Sequence, residues 1–418
     1  MSPPFGRSRE SMPTDLAAQT GARRRLSLLR KIDDEAKEWL APLDGLRALA
    51  ALAVLGSHTA LLPVPFGTLG VLLFFNLSAF LLSRPFLASD EIYSLRGTTA
   101  FFIRRVFRIM PMLMVYVFTY GMFVDGGLEY IIDHIVRFKG TGHLWTINQE
   151  MVFYALMPAF AALVFPLRRK PLFAAAVLVL LAWAAESYLT YQVVRLPGMT
   201  GYMQFFLSPF LVGMASAYIA PSVKQLAMKL AGSQLLDSLI SLAVLACLIS
   251  LQWAVVRIYT ETGQNVTGNW APYMSIGCCV LLLWITSTSR NWLCVILSFR
   301  PLRAIGIVGY SFYLWHWVPA NFLVPEWAPI WRFSVAFLAT LSVSLATFLM
   351  IERPGIRLGT KLASMLPGLR ASGWLSRLRS GATALAEGES LRVPDRSDSA
   401  SGQSAGQLPR TSEMRPQV

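Results

Sequence analysis

Apolar runs long enough to cross a bilayer recur along most of this chain, parted by short polar or basic stretches. Ten such runs fall at roughly 44–62, 66–83, 106–124, 144–165, 171–190, 202–220, 235–255, 270–288, 304–322 and 332–351. Each is near the ~20 residues that a membrane-spanning helix needs. Pro166, Pro171, Pro221 and Pro301 fall at or near the predicted ends, where proline costs least. No internal repeat stands out. The pattern predicts an all-α polytopic membrane protein, a bundle of about ten transmembrane helices.

The flanks differ in kind. Residues 1–40 form a basic, polar segment, and residues 41–357 carry the apolar runs. Residues 358–385 include LASMLPGLRASGWLSRLRS, where Leu and Trp alternate with arginine, a composition suited to an amphipathic segment on an anionic membrane surface. Residues 386–418 are rich in Ser, Gly, Arg and Pro and read as a disordered tail. The polar segment before the first apolar run is the wrong order for a secretory signal peptide.

Basic residues crowd alternate connections. Arg23, Arg24, Arg25, Arg30 and Lys31 precede the first run, Arg96, Arg104 and Arg105 lie between the second and third, and Arg168, Arg169 and Lys170 follow the fourth. Lys224 and Lys229, then Arg290, Arg300 and Arg303, then Arg353 and Arg357 continue the series. The other connections hold only Arg137 and Lys139, Arg195 and Arg257. The positive-inside rule places both termini in the cytoplasm, and the cytoplasmic (inner) membrane is the expected location.

Composition agrees with this pattern. The 418 residues are 55% hydrophobic and 14% charged, too apolar for an ordinary soluble core. The net charge of +14 does not point to nucleic acid, because the basic residues lie between apolar runs instead of on one soluble face. Cys247, Cys278, Cys279 and Cys294 show no metal-ligand spacing and no disulfide framework. No metal motif, phosphate-binding glycine loop or Ser–His–Asp signature is present.

Ionisable groups inside these apolar runs are the candidates for chemistry. LDGLRALAALAVLGSHTALL carries Arg47 and His58, eleven positions apart. On an α-helix that is about 16 Å of rise and about 1100° of rotation, leaving the two side chains roughly 20° from a common face. With Arg47 at the inner interface, His58 lies near mid-membrane. Asp44, one turn before Arg47, is a ready partner. An anionic cofactor entering from the cytoplasm would meet both groups; the alternative is that Arg47 snorkels and His58 bonds a neighbouring helix.

FFIRRVFRIMP sets Arg104, Arg105 and Arg108 at i,i+3 and i,i+4 spacing, a cluster whose guanidinium forks suit phosphates or anchor the helix at the inner surface. In GHLWTINQEMVFYALMP, His143, Ile147, Glu150 and Tyr154 share a face. Glu150 then lies about 10 Å below the outer surface, at a depth similar to His58, and could orient or stabilise it for general-base work on a hydroxyl. GYSFYLWHWVP places His316 among Tyr310, Tyr313, Trp315 and Trp317, either as packing or as polar lining. Glu352 in IERP is expected to tie a helix end through a salt bridge.

LDGLRALAALAVLGSH, FFNLSAFLLSR, FFIRRVFRIMP, HLWTINQEMVFY, FLVGMASAY, GYSFYLWHWV and IERP, in this order over about residues 40–357, resemble the acyltransferase-3 family of mostly bacterial membrane-bound acyltransferases. The resemblance implies a ten-helix bundle that takes an acyl group, commonly acetyl, from cytoplasmic acyl-CoA and delivers it to a hydroxyl, often on a sugar or surface glycan. It assigns His58 as general base, Glu150 as its supporting acid, and Arg47, Arg104, Arg105 and Arg108 to the acyl-CoA co-substrate. Asn76, Ser78, His143, Tyr154, Tyr313 and His316 become candidates for the substrate tunnel. Asn76 and Ala79 replace an apolar residue and a glycine, and Thr146, Ile147 and Asn148 stand where a serine usually precedes the acid. These departures bear on acyl-chain or acceptor choice, not on reaction class. The expected partners are the lipid bilayer, acyl-CoA, a carbohydrate or other hydroxyl acceptor, and for any later step a separate extracytoplasmic protein or a second copy of the chain. No metal and no nucleic acid is expected.

Two rival classes remain open at this point. A proton-coupled multi-pass transporter of a small molecule or glycan precursor would also use a mid-membrane His and Glu, although no inverted repeat or matched pair of interrupted helices supports it. An export or assembly partner without chemistry would leave the His and Glu without a purpose.

Overall fold

The computed structural model describes residues 41–366, apart from 125, 138, 141, 194–206, 231–233, 264–266, 289–290 and 324. Segments 1–40 and 386–418, and all but the start of 358–385, lie outside the described residues. Among the described residues the elements are helical and no strand occurs. In chain order they are α1 (Ala41–His58), α2 (Val64–Ala88), α3 (Leu95–Phe123), the short α4 (Gly127–Ile135), α5 (Trp145–Val164), α6 (Pro171–Val193) and α7 (Leu207–Leu230). There follow α8 (Gln234–Thr262), α9 (Thr267–Ser287), α10 (Trp292–Leu297), α11 (Arg300–Ile307), α12 (Gly309–Trp315), α13 (Pro329–Thr347) and α14 (Arg353–Met365).

Among the described residues six helical stretches are long and apolar enough to cross a membrane: Val64–Ala88, Leu95–Phe123, Gly142–Leu167, Gln234–Thr262, Trp270–Ser287 and Pro329–Met365. The chain is a multi-pass membrane protein. Helices satisfy their own backbone polar groups, which lipid cannot do. The described residues of the ten apolar runs are mostly helical, but these six stretches are fewer than the ten expected, and the helices are less regular than the hydropathy suggested. The first run ends at His58 instead of Leu62, where the chain turns through Ala60 at φ 58° and the N–H groups of Leu61 and Leu62 both reach the Gly56 carbonyl. The run at 304–322 is broken into α11, α12 and a π turn at Pro319–Leu323. A second π turn, Phe348–Glu352, joins α13 to α14. Pro319 opens the first and Pro354 follows the second; each lacks an N–H, so the helical ladder must be rebuilt around it.

Pro221 corrects another expectation, for it lies inside α7, which continues to Leu230. Pro85, Pro111, Pro158 and Pro272 are likewise interior. A helix packed among other helices tolerates this better than a solvated one, because neighbouring groups take over the freed carbonyl.

The core is organised around α2, which packs against α1, α7 and α9 and buries residues on all sides. At its start, α1 meets α10 and α11 backbone to backbone. A Cβ on Gly45 would stand 1.9 Å from the Leu297 carbonyl oxygen, and one on Gly306 would stand 1.8 Å from that of Asp44. No side chain fits at either point. This contact carries Arg47 against the wall formed by Gly306 and Ile307, and so begins the site.

Candidate functional site

Between α1, α2, α3, α5, α11 and α12 lies a cavity of about 270 Å³. Its cationic end is built from Arg47 of α1 with Arg105 and Arg108 of α3. Arg47 is held by Asp44 one helical turn earlier, Nη1 to Oδ1 at 3.0 Å, and Asp44 in the first turn of α1 also sits well with the helix dipole. Arg105 lies over the Phe101 ring at 5.9 Å and the Tyr154 ring at 6.0 Å, while its buried Nε has no hydrogen-bond partner among the described residues. The Nε of Arg303, which acts electrostatically on Asp44 from α11, is buried and unpartnered in the same way. Buried donors are normally paired. Orphaned guanidinium nitrogens beside a cavity are what an anionic guest would satisfy.

One wall of the cavity is a face of α2: Val71, Phe74, Phe75, Ser78, Leu81 and Leu82 recur at helical spacing. The opposite wall is α5, which contributes Thr146, Ile147, Glu150 and Tyr154. Glu150 accepts from Ser78 Oγ at 2.8 Å and from the Tyr154 hydroxyl. Its charge also acts on Arg47 and Arg105, although no ion pair closes among them in the described residues. The carboxylate thus ties α2 to α5 and faces the arginines across the cavity. It is not the polar partner of His58, contrary to the sequence expectation.

His58 pairs with His316, Nδ1 to Nε2 at 2.8 Å, with the rings stacked at 5.0 Å between centroids and tilted by 8°. The Trp317 ring meets His58 edge-on, and His143 stacks on Trp317 while meeting His316 edge-on. The backbone sets the proton positions. His316 Nδ1 bonds the Tyr313 carbonyl, which can only accept, so Nδ1 carries the proton and neutral Nε2 is left as an acceptor. His58 must then donate from Nδ1, which leaves its Nε2 with a free lone pair. A carbonyl, two imidazoles and one remaining basic nitrogen form a directed chain.

Tyr313 links the two halves. It lines the cavity, and its ring lies 5.3 Å from His316 and 6.1 Å from Phe74. Its hydroxyl donates to the His143 carbonyl and accepts from Thr146 Oγ1, each at 2.8 Å. Thr146, one of the departures in the span-four motif, therefore pins the residue that separates the arginines from the histidines.

Other candidates fall elsewhere. Arg104, expected in the cluster, is not among the cavity-lining residues, although its charge still acts on Arg105. Asn76 is buried on the other side of α2, donating to the Leu72 carbonyl at 2.8 Å and accepting from Cys279 Sγ at 2.9 Å. With Ala79 it faces α7 at Gly213, so these two departures sit in a helix–helix contact and not in the cavity. His143 sits in the turn before α5, does not line the cavity, and donates from Nε2 to the Leu314 carbonyl at 3.1 Å. Glu352 makes no salt bridge among the described residues. It is 1% exposed and accepts from Ser311 Oγ at 2.6 Å, tying the second π turn to α12. Tyr310, read in the sequence only as part of the aromatic stretch around His316, also lines the cavity, and its hydroxyl donates to the Ile109 carbonyl at 3.0 Å. Its signal was the three-residue spacing of Tyr310, Tyr313 and His316. Among the described residues no group of His, Cys, Asp and Glu is arranged to hold a metal ion.

The bundle thus has a cationic cavity and a histidine pair, with Tyr313 lining the one and touching the other, and comparison supplies the class. The acyltransferase domain of the acyltransferase-3 family matches residues 40–349, and the chain belongs to that family. It is similar to the peptidoglycan O-acetyltransferase OatA of Listeria monocytogenes, 24% identical over 76% of this chain and 56% of that protein. It is also similar to the putative membrane-bound transacylase BcsY of Komagataeibacter xylinus, 25% identical over 75% of this chain and 82% of that protein. A third relative is the putative peptidoglycan O-acetyltransferase YrhL of Bacillus subtilis, 24% identical over 76% of this chain and 55% of that protein. The matched region thus spans little more than half the length of the first and third. No solved structure matches the chain.

Proposed function

We infer that this protein is an integral-membrane O-acyltransferase that moves an acyl group, acetyl in the first place, from cytoplasmic acyl-CoA to a hydroxyl of a sugar or surface glycan. The observation that carries the reading is the directed histidine chain standing next to an arginine-lined cavity, with Tyr313 common to both. Arg47, Arg105 and Arg108 hold the phosphates, and the apolar wall of Val71, Phe74 and Phe75 takes the pantetheine arm. The thioester passes Tyr313 toward His58. There Nε2 takes the proton from the acceptor hydroxyl, the oxygen attacks the acyl carbon, the C–S bond breaks, and the departing thiolate takes the proton back. His316 holds the tautomer that makes this possible. Glu150 shapes the donor cavity and balances its arginines. Family membership favours transfer over proton-coupled transport, and the relatives' names support a glycan hydroxyl as acceptor.

The test is transfer itself. Inverted membrane vesicles supplied with acetyl-CoA labelled in the acetyl group should pass label to an alkali-labile ester on membrane glycan, and only when the protein is present. No protein-dependent ester, from vesicles in which purified protein is shown to be folded, would overturn the reading.

The direction of transfer depends on topology. The loop charges support ten spans with both termini in the cytoplasm, which puts Arg47, Arg105 and Arg108 at the inner side. Reporter fusions after Arg30 and after Gly381 are both expected to report cytoplasm. An external report from either would turn the arginine end outward and remove cytoplasmic acyl-CoA as donor.

A further inference from the structure

Arg47 and Arg332 lie near opposite ends of α1, one toward the donor cavity and the other beyond the histidine pair. Arg332 belongs to the first turn of α13. A cation there opposes the helix dipole and gains nothing from it. Its Nε donates to the Ala320 carbonyl at 2.9 Å, while the Ala320 N–H reaches the His316 carbonyl at 3.1 Å. The guanidinium is thus fastened to the π turn one helical turn beyond His316, and its charge acts on His58. Ala320 also packs in one small cluster with Ala51 and Leu55 of α1 and Ala336 of α13, which fixes these three elements against each other. The fastening uses only one nitrogen. Among the described residues Arg332 makes no ion pair, and its terminal Nη groups have no partner.

A half-buried guanidinium, fixed at Nε with its Nη groups held by no protein group and its charge felt at His58, is placed to receive an anion. The donor cannot supply it, on the reading above: coenzyme A carries its negative charges on the nucleotide and pyrophosphate, whereas the thioester end is neutral. The arginines for those phosphates lie about 16 Å away along α1. The remaining source is the acceptor. Its reacting hydroxyl must approach His58, so a charged group elsewhere on the same sugar comes within reach of Arg332. Trp317, partly exposed and edge-on to His58, adds an aromatic side chain at the same place, one of its faces covered by His143.

We propose that Arg332 is an acceptor-binding residue, and that the acceptor is a sugar bearing a carboxylate or phosphate close to the hydroxyl that receives the acyl group. The proposal rests on the acyl-transfer reading and adds the chemical class of its second substrate.

The test uses the full chain in lipid nanodiscs, with acetyl-CoA present, and two probes that differ only in charge, glucuronate and glucuronamide. Wild-type protein should bind glucuronate about tenfold or more tightly than the amide by calorimetry, the size that one charge-assisted hydrogen bond provides. Arg332→Gln should erase that preference and leave glucuronamide binding unchanged, while Arg332→Lys keeps part of it. Stabilisation by acetyl-CoA should persist in both variants, which shows that they are folded. Equal binding of the two probes by wild type, or a preference that survives Arg332→Gln, would overturn the proposal. Failure of wild type to bind acetyl-CoA would instead sink the acyl-transfer reading on which it rests.

Discussion

His58→Ala is expected to abolish acyl transfer while the protein still folds and still binds acetyl-CoA. A sugar hydroxyl is a poor nucleophile until a base takes its proton, and a positioned imidazole supplies about 10²–10⁴-fold of rate. Loss of the His58 imidazole leaves two other ring nitrogens with lone pairs, His316 Nε2 and His143 Nδ1, but both rings are buried and held in place by backbone carbonyls. His316 spends Nδ1 on the Tyr313 carbonyl and Nε2 on His58, and His143 donates from Nε2 to the Leu314 carbonyl. The substitution should leave the donor cavity intact, because His58 does not line it. Two measurements keep the result interpretable: stabilisation by acetyl-CoA reports the cavity, and label transfer from acetyl-CoA reports the base. His316→Ala should lower the rate by a smaller factor, since it removes the group that fixes the His58 tautomer and leaves the base itself. Near-normal transfer by His58→Ala would mean that the histidine pair is structural.

Much of this architecture was legible in the sequence, and the limits of that reading have physical causes. Hydropathy showed where helices run, because any stretch facing lipid or other helices must be apolar. It did not show that the ninth run is broken, since the residues around Pro319 are as apolar as those of a continuous span. Local spacing was reliable where partners are one turn apart: Asp44 and Arg47 close the ion pair that i,i+3 geometry allows. It could group Arg104, Arg105 and Arg108 but not tell which of them face the cavity, because that depends on where α2 and α5 lie around α3. Pairing across the fold was beyond it. His58 and His316 are 258 residues apart, and nothing local to either one names the other. Glu150 looked like the partner of His58 because their depths matched. Depth places a residue along one axis only, and the second coordinate, set by the packing of α5 on α2, turned the carboxylate to Ser78 and Tyr154.

Arg105→Ala and Arg108→Ala are each expected to weaken acyl-CoA binding by about 10- to 150-fold, the equivalent of one lost charge-assisted hydrogen bond at about 1.5–3 kcal/mol. Arg104→Ala is expected to change it little, although the sequence places all three in one cluster. The cavity makes the distinction: Arg105 and Arg108 line it with Arg47, and Arg104 does not. Arg→Lys at 105 or 108 should restore only part of the affinity, since an ammonium supplies charge without the planar pair of donors that a phosphate accepts. At position 105 the lysine would also give up the guanidinium's place over the Phe101 and Tyr154 rings, so its rescue should be the poorer of the two. Calorimetric titration of the purified variants with acetyl-CoA separates these cases, and a parallel titration with free coenzyme A should show the same losses because the phosphates are common to both. If instead the double alanine variant expresses normally and binds acetyl-CoA like wild type, the arginines only anchor α3 at the membrane surface, and the cavity must bind its donor by other means.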